Sequence, residues 1–90
     1  MGRIIRTAKV GNENQNADCV ITIEPGTGGI ELDFTSTVEI QYGDAMKEAI
    51  YDELSKYGID DARVTVVDRG AIDPVLRARM EAVIKRGMEG

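Results

Sequence analysis

Apolar and polar residues alternate in two stretches of the first half of the chain, as is typical of half-buried β-strands. The stretches are Cys19–Glu24 and Ile30–Thr35, and the glycine-rich Gly26–Gly29 separates them. Two such stretches joined by a short glycine-rich segment predict a β-hairpin. A weaker strand is predicted within Arg3–Val10. The predicted inward side chains of the hairpin are Cys19, Ile21, Ile23, Ile30, Leu32 and Phe34.

From about Gln41 the spacing of apolar residues changes to that of an amphipathic α-helix. A glycine after the last apolar position, Gly58, can take the left-handed conformation that ends many helices. Ile59 would then fold back onto Leu54 in a Schellman motif. The predicted inward residues are Met46, Ala49, Ile50, Leu54 and Tyr57.

The sequence signals for the starts of the two helices differ in how specific they are. For the first helix two starts remain open, because Asp44 is a possible N-cap, whereas Ile40 and Tyr42 could extend the apolar stripe upstream. For the second helix, Asp73 is predicted as the N-cap and Pro74 as the first helical residue. The second start therefore has the more specific sequence signal.

A last strand is predicted at Arg63–Asp68, with Val64 and Val66 inward and Val67 also covered. The element order is then β-β-β-α-β-α over a single domain of residues 1–90. The sequence therefore predicts an α+β fold, in which an antiparallel-rich sheet of about four strands carries two helices on one face. The predicted core stripe of the last helix is Leu76, Met80, Val83 and Ile84.

Composition restricts the chemistry of the chain. Its net charge is -5, which argues against a nucleic-acid binder, because such proteins neutralise phosphates with a basic face. The absence of histidine removes the usual neutral-pH general base and the imidazole metal ligand. The single cysteine, Cys19, cannot form an internal disulfide, and no apolar run approaches the length of a membrane span. A cytoplasmic location is therefore expected.

The sequence "NENQNADCV", Asn12–Val20, contains a polar segment with no Ser, Thr, Gly or Pro. It connects the first predicted strand to the second, so the loop of residues 11–18 is expected at one end of the sheet. Loops held on a rigid scaffold often carry function. This loop is the least ordinary feature of the sequence.

Three segments together resemble the acyl carrier (gamma) subunit of citrate lyase, a family related to the acyl carrier of malonate decarboxylase. The most specific is "VVDRGAIDPVLRARMEAVIKR", Val66–Arg86, and the others are "STVEIQYGDAMKEAI", Ser36–Ile50, and "ADCVITIEP", Ala17–Pro25. The likeness extends from about Ala8 to Arg86. It implies a non-catalytic carrier subunit, not an enzyme.

The resemblance also implies a cofactor and partners. Such carriers hold phosphoribosyl-dephospho-CoA, joined through phosphate to the serine of a Ser-Gly-Asp-like motif, and the thiol of this arm carries acetyl or citryl. The implied partners are the alpha and beta subunits of citrate lyase and the prosthetic-group transferase. No nucleic acid or membrane is implied.

The motif position in this chain is Asn16, Ala17 and Asp18. Counting back from the following strand aligns the serine with Asn16, and a one-residue slip makes Ala17 the alternative. Neither side chain has a hydroxyl, so the arm is not expected on this chain. Either an engineered substitution has removed the attachment residue, or the chain is a natural homologue that no longer acts as a carrier.

Four charged residues outside the loop have an ordinary and a functional interpretation. Asp68 and Arg69 belong to a strand-to-helix turn, whereas Arg77 and Arg79 lie on the outer side of the last helix. Alternatively, they contact partner subunits or the prosthetic arm. Two functions thus compete: an acyl carrier in an attachment-deficient form, and a structural or regulatory subunit on the same fold. An independent enzyme is disfavoured, because no base, nucleophile or metal set is visible.

Overall fold

The structure is a computed structural model that describes residues 2–12, 17–37 and 39–89, with the backbone alone at Glu39 and Ile40. The predicted element order β-β-β-α-β-α is confirmed. Within the described residues, no helix is both long and apolar enough to cross a membrane. The elements are β1 (Ala8–Val10), β2 (Cys19–Pro25), β3 (Ile30–Ser36), α1 (Glu39–Lys56), β4 (Ala62–Asp68) and α2 (Asp73–Met88).

The four strands form one mixed sheet in the order β1-β2-β4-β3. β2 is antiparallel to β1 and β4, while β3 is parallel to β4. The predicted β2–β3 hairpin is therefore wrong, because β4 lies between its two strands. Alternation identified each strand but not its partner. The valine-rich β4 takes a central position, where both of its backbone edges are paired.

The connection between β2 and β3 crosses the beginning of β4. The Gly28 amide donates to Asp61 Oδ1 at 2.9 Å, and the Ala62 amide donates to the Gly29 carbonyl at 3.1 Å. Gly26 passes so close to Asp61 and Ala62 that a Cβ would collide with both. The glycine-rich sequence thus serves a close crossing over a strand end, which the hairpin interpretation did not foresee.

Helix α1 begins at Glu39, as the upstream alternative predicted, and Asp44 lies inside the helix, although Tyr42 is exposed and does not extend the buried stripe. The other predicted start, with Asp44 as N-cap, is wrong. The predicted Schellman end is confirmed: Gly58 has φ 65°, and the Ile59 amide donates to the Leu54 carbonyl at 3.0 Å. Both Ile59 and Leu54 are buried, which supplies the apolar contact of this motif.

Helix α2 begins one residue earlier than predicted. Ile72 is its N-cap, with φ -77° and ψ 160°, and its carbonyl accepts the Leu76 amide at 3.0 Å. Asp73 is thus the first helical residue and does not cap the helix. Its carboxylate instead accepts from Arg77 Nε at 2.8 Å, one turn later, and its negative charge suits the first turn of a helix.

Both helices share one core with the inward side chains of the sheet. The predicted stripes of α1 and α2 are buried, except that Tyr57 is half-buried. The prediction for Val67 is wrong: it is exposed, because its strand position faces away from the helices. The apolar residues with at most 1% exposure are Cys19, Ile21, Ile23, Ala49, Ile50, Leu54, Ala62, Val64, Val66, Leu76, Met80, Val83 and Ile84.

Candidate functional site

One end of the sheet gathers the beginning of β2 and the ends of β3 and β4. Cys19 pairs with Asp68, and Ser36 pairs with Asp68 on its other side. Helix α1 follows β3 at this end, and α2 follows β4. The described end of the loop before β2, Ala17 and Asp18, therefore lies at the sheet end from which both helices start, which is where parallel βα units commonly place their sites.

A β-bulge fixes the last residues of this loop. The Ala17 amide donates to the Arg69 carbonyl at 2.9 Å, and the Arg69 amide donates to the Asp18 carbonyl at 2.9 Å. Ala17 and Asp18 thus oppose the single residue Arg69. Ala17 has φ 61° and is the only described non-glycine residue with positive φ. This is the G1 bulge, whose first residue is normally a glycine in the left-handed conformation.

Ala17→Gly should therefore stabilise the fold. The left-handed conformation costs a residue with a Cβ about 1–2 kcal/mol, and the extra freedom of glycine in the unfolded chain removes part of this gain. We expect a rise of about 0.5–1 kcal/mol in the free energy of unfolding, measured by urea denaturation. Ala45→Gly, at an exposed position inside α1, is the control and should destabilise by a similar amount. Destabilisation by Ala17→Gly would contradict the bulge.

Asp18 anchors the loop to helix α2. Its carboxylate accepts Arg79 Nε at 3.0 Å and Nη2 at 2.7 Å in a bidentate ion pair, and it also accepts the Cys19 amide at 2.7 Å. The side chain of Asp18 is nearly inaccessible, with 4% of the residue exposed. The hydrogen bonds from Arg79 are the main cause that lowers the pKa of Asp18, against the opposing effect of desolvation. The carboxylate is therefore a fixed, charged anchor.

Cys19 belongs to the core, as its alternation with Ile21 and Ile23 predicts. Desolvation, together with the nearby charges of Asp18 and Asp68, raises the pKa of its thiol to about 12. The reactive form of cysteine is the thiolate. Cys19 is therefore unsuited to nucleophilic or attachment chemistry.

Asp68 holds the turn between β4 and α2. Only 1% of the residue is exposed. Its Oδ2 accepts the Ser36 hydroxyl at 2.7 Å and the Gly70 amide at 3.0 Å, and its Oδ1 accepts the Ala71 amide at 3.0 Å. This geometry gives Asp68 a structural role, because it satisfies the backbone donors of the turn that precedes α2. A direct contact of its carboxylate with a partner would require the turn to open.

Arg69 and Arg77, two further residues with a possible contact role, have different surroundings in the structure. Arg69 is exposed and its backbone forms the bulge, whereas Arg77 binds Asp73, Asp52 and Glu53 at 2.8, 3.4 and 3.2 Å. Glu53 is buried, and its carboxylate binds both Arg77 and Lys56, with Lys56 Nζ at 2.7 Å. Arg77 thus joins the two helices.

The structure brings together part of the predicted site. Ala17, Asp18, Arg69 and Arg79 are linked directly, and Asp68 lies beside them in the register of the sheet. Asn16, the predicted attachment position, lies outside the described residues. The pairing of Asp18 with Arg79 joins positions 61 residues apart, and no sequence spacing could have indicated it.

Comparison with known proteins gives a match over almost the whole chain. The family model described as malonate decarboxylase delta subunit (MdcD) matches residues 5–87. A citrate lyase acyl carrier protein from Weissella paramesenteroides is 45% identical over 85 residues, which cover 94% of this chain and 88% of that protein. The chain belongs to this acyl carrier protein family. The predicted family is thereby confirmed, and it is one of carrier subunits, not of catalysts.

Other members of the acyl carrier protein family are similar over the same length. The citrate lyase acyl carrier protein of Lactobacillus helveticus is 40% identical and covers 94% of this chain and 88% of its own. That of Fusobacterium nucleatum is 34% identical, with 96% and 93% covered. A crystal structure of a protein from Thermus thermophilus matches with a TM-score of 0.52 at 17% identity, over 92% of this chain and 15% of that one. This last similarity concerns the fold alone.

Proposed function

We propose that this protein is the acyl carrier subunit of a citrate lyase complex, in a form that lacks the residue to which the prosthetic arm is attached. The observation that carries the proposal is the bulge at Ala17, closed by the Asp18–Arg79 ion pair. A carrier needs an attachment loop whose end is held rigidly while its tip remains accessible to other enzymes. The proposed setting is cytoplasmic, with the alpha and beta subunits of the lyase and the prosthetic-group transferase as partners.

The backbone at Ala17 supports one of the two alignments of the attachment motif. Ser-Gly-Asp places a glycine immediately before the aspartate, and the first position of a G1 bulge favours glycine for its left-handed conformation. Ala17 has this conformation, and Asp18 follows it. The serine then corresponds to residue 16. In the alternative, with the serine at residue 17, the glycine of the motif would fall on residue 18, which does not have the left-handed conformation.

The residues of this chain do not fit covalent attachment of phosphoribosyl-dephospho-CoA. Asn16 has an amide in place of a hydroxyl, and no Ser or Thr occurs between Thr7 and Thr22. Thr22 lies in the middle of β2, and Thr7 precedes β1, on the far side of the loop from the motif. The thiol of Cys19 is buried with a raised pKa. The proposal therefore assigns this chain the scaffold of a carrier without its arm.

Restoring the hydroxyl tests this function. We expect Asn16→Ser, incubated with the prosthetic-group transferase and its activated substrate, to gain the mass of one prosthetic group by intact-protein mass spectrometry. The unchanged chain and Ala17→Ser should gain nothing, because the first lacks a hydroxyl and the second carries it inside the bulge. Modification of Ala17→Ser alone would show that the alignment is displaced by one residue. Failure of both serine variants would contradict the carrier function.

The second candidate is a structural or regulatory subunit on the same fold. The observation beside it is the intramolecular pairing of Asp18 with Arg79, which anchors the loop end in a chain that has no hydroxyl for the arm in this loop. The two candidates differ in what Asn16→Ser does. A carrier scaffold should accept the arm after this single change, whereas a subunit that has diverged for another role should still bind the lyase subunits but remain unmodified.

A further inference from the structure

A groove lies beside the candidate site, between the first turns of α1 and the connection that leads into α2. Its volume is about 360 Å³. Two apolar side chains at the groove are unusually exposed: Tyr42, of which 58% is accessible, and Ile72, of which 65% is accessible. The residues that line it are Tyr42, Ala45, Met46, Gly70, Ala71, Ile72 and Asp73.

The groove exists because α1 extends further toward this end of the sheet than α2. Glu53 of α1 is bound to Arg77 of α2, which aligns the two helices at this level. At 1.5 Å per residue, Glu39 lies about 21 Å from Glu53 along α1, whereas Asp73 lies only about 6 Å from Arg77 along α2. The first turns of α1 therefore have no helix beside them. Among the described residues, the β4–α2 connection lines the groove opposite these turns.

Acidic residues of α1 lie close to the apolar groove in the chain. Asp44 and Glu48 are exposed on α1, whereas Asp73, exposed at the beginning of α2, is paired with Arg77. Helix α1 contains five acidic and two basic residues. Of the two basic ones, Lys56 binds Glu53, and Lys47 lies over the ring of Phe34 with its Nζ 5.5 Å from the ring centroid. The surface thus combines an apolar depression with an acidic border.

We infer that this groove is the docking surface for the lyase subunits, which would insert an apolar side chain from a basic surface. The inference rests on the proposed function and gives its partners a place to bind. Exposed aromatic residues beside a depression are typical anchors of protein interfaces, and complementary charge directs the encounter. The groove also adjoins the attachment loop, because Gly70 follows Arg69, whose backbone binds Ala17.

A second copy of this chain fits the groove less well than a basic partner. The chain has a net charge of -5, so two copies repel each other, and the acidic border would oppose a further acidic surface. The predicted contacts Arg77 and Arg79 are also unsuited as main anchors. Both are already engaged in ion pairs within the chain. The exposed apolar residues are the better candidates for the centre of the interface.

The test measures binding of the purified chain to the citrate lyase alpha and beta subunits by biolayer interferometry. We expect Tyr42→Lys and Ile72→Lys each to weaken binding about tenfold or more, since each puts a positive charge at the centre of the interface. Tyr51→Lys and Ile5→Lys are the matched controls, because Tyr51 is 46% exposed elsewhere on α1 and Ile5 is 48% exposed. Both controls should bind within about twofold of the unchanged chain. Thermal unfolding of each variant checks that it is folded.

The outcomes separate this inference from the proposed function. If the unchanged chain binds and the groove variants bind equally well, the groove is not the docking surface, and the carrier function still stands. If the unchanged chain does not bind the lyase subunits, the proposed function and the groove inference both fail. Association that does not slow with rising ionic strength would overturn the basic character of the partner surface. A groove-dependent dimer of the chain, detected by sedimentation, would overturn the choice of partner.

Discussion

Asp68→Ala should lower the free energy of unfolding by about 3–4 kcal/mol. The substitution removes the acceptor of three hydrogen bonds, two of them from the backbone amides of Gly70 and Ala71, at a residue that is 1% exposed. An unsatisfied buried donor costs about 1–3 kcal/mol, and water entering the opened turn offsets part of the sum. Urea denaturation at pH 7 measures the loss. It is large beside the roughly 5–15 kcal/mol by which a typical domain is stable.

Two variants show whether this loss arises from the hydrogen bonds. Asp68→Asn retains one acceptor oxygen but turns an amide toward a donor, so it should lose less than Asp68→Ala. Asp33→Ala, at an exposed position in β3, should change the free energy of unfolding by less than about 0.5 kcal/mol. A loss below about 1 kcal/mol for Asp68→Ala would mean that the turn is held by other contacts.

Arg79→Ala should have the second largest effect, a loss of about 2 kcal/mol at neutral pH. It leaves the nearly inaccessible carboxylate of Asp18 with the Cys19 amide but without its bidentate partner. Breaking a fully buried pair costs about 3–5 kcal/mol. We expect less here, because 39% of the Arg79 side chain is exposed and solvent screens the pair. Arg79→Lys should recover only part of the loss, since lysine cannot form the bidentate geometry.

The effect of Arg79→Ala should depend on pH in a definite direction. The ion pair lowers the pKa of Asp18 below its ordinary value of 3.8. The stabilisation is therefore fully present above that value and is lost as pH falls through the lower pKa of the folded state. The difference in unfolding free energy between the unchanged chain and Arg79→Ala should be largest near pH 7 and should shrink below pH 3.8. A difference that is constant down to pH 2 would contradict an electrostatic origin.

The sequence predicted the elements better than their arrangement. Periodicity gave the four strands and two helices, since inward positions such as Ile21 and Leu76 must be apolar wherever the element lies. The order of the strands in the sheet could not be predicted in this way. A glycine-rich segment of four residues can turn a hairpin or cross a neighbouring strand, and only the burial of β4 between β2 and β3 selects the crossing. The exposure of Val67 could not be predicted either, because the sequence does not show which face of the sheet the helices leave uncovered.

The candidate site could be predicted only in part, because residues that meet there are far apart in the sequence. The loop before β2 was recognisable from its polar composition and its likeness to the carrier family. Its anchors were not, because Asp18 binds a residue in the last helix and Ala17 binds the turn after β4. Arg79 was interpreted as a residue of the outer helix face or, alternatively, as a contact for other molecules, whereas it is paired inside the protein. The ion pair of Glu53 with Arg77 was missed for the same reason.

The most direct test of the whole account is the mass of the Asn16→Ser chain after incubation with the prosthetic-group transferase. A scaffold that lacks nothing but the attachment hydroxyl should gain one prosthetic group, located at residue 16 by fragmentation of the corresponding peptide, while the unchanged chain stays at its original mass. An Asn16→Ser chain that folds normally and remains unmodified would contradict the account, as would an unchanged chain that takes up the group.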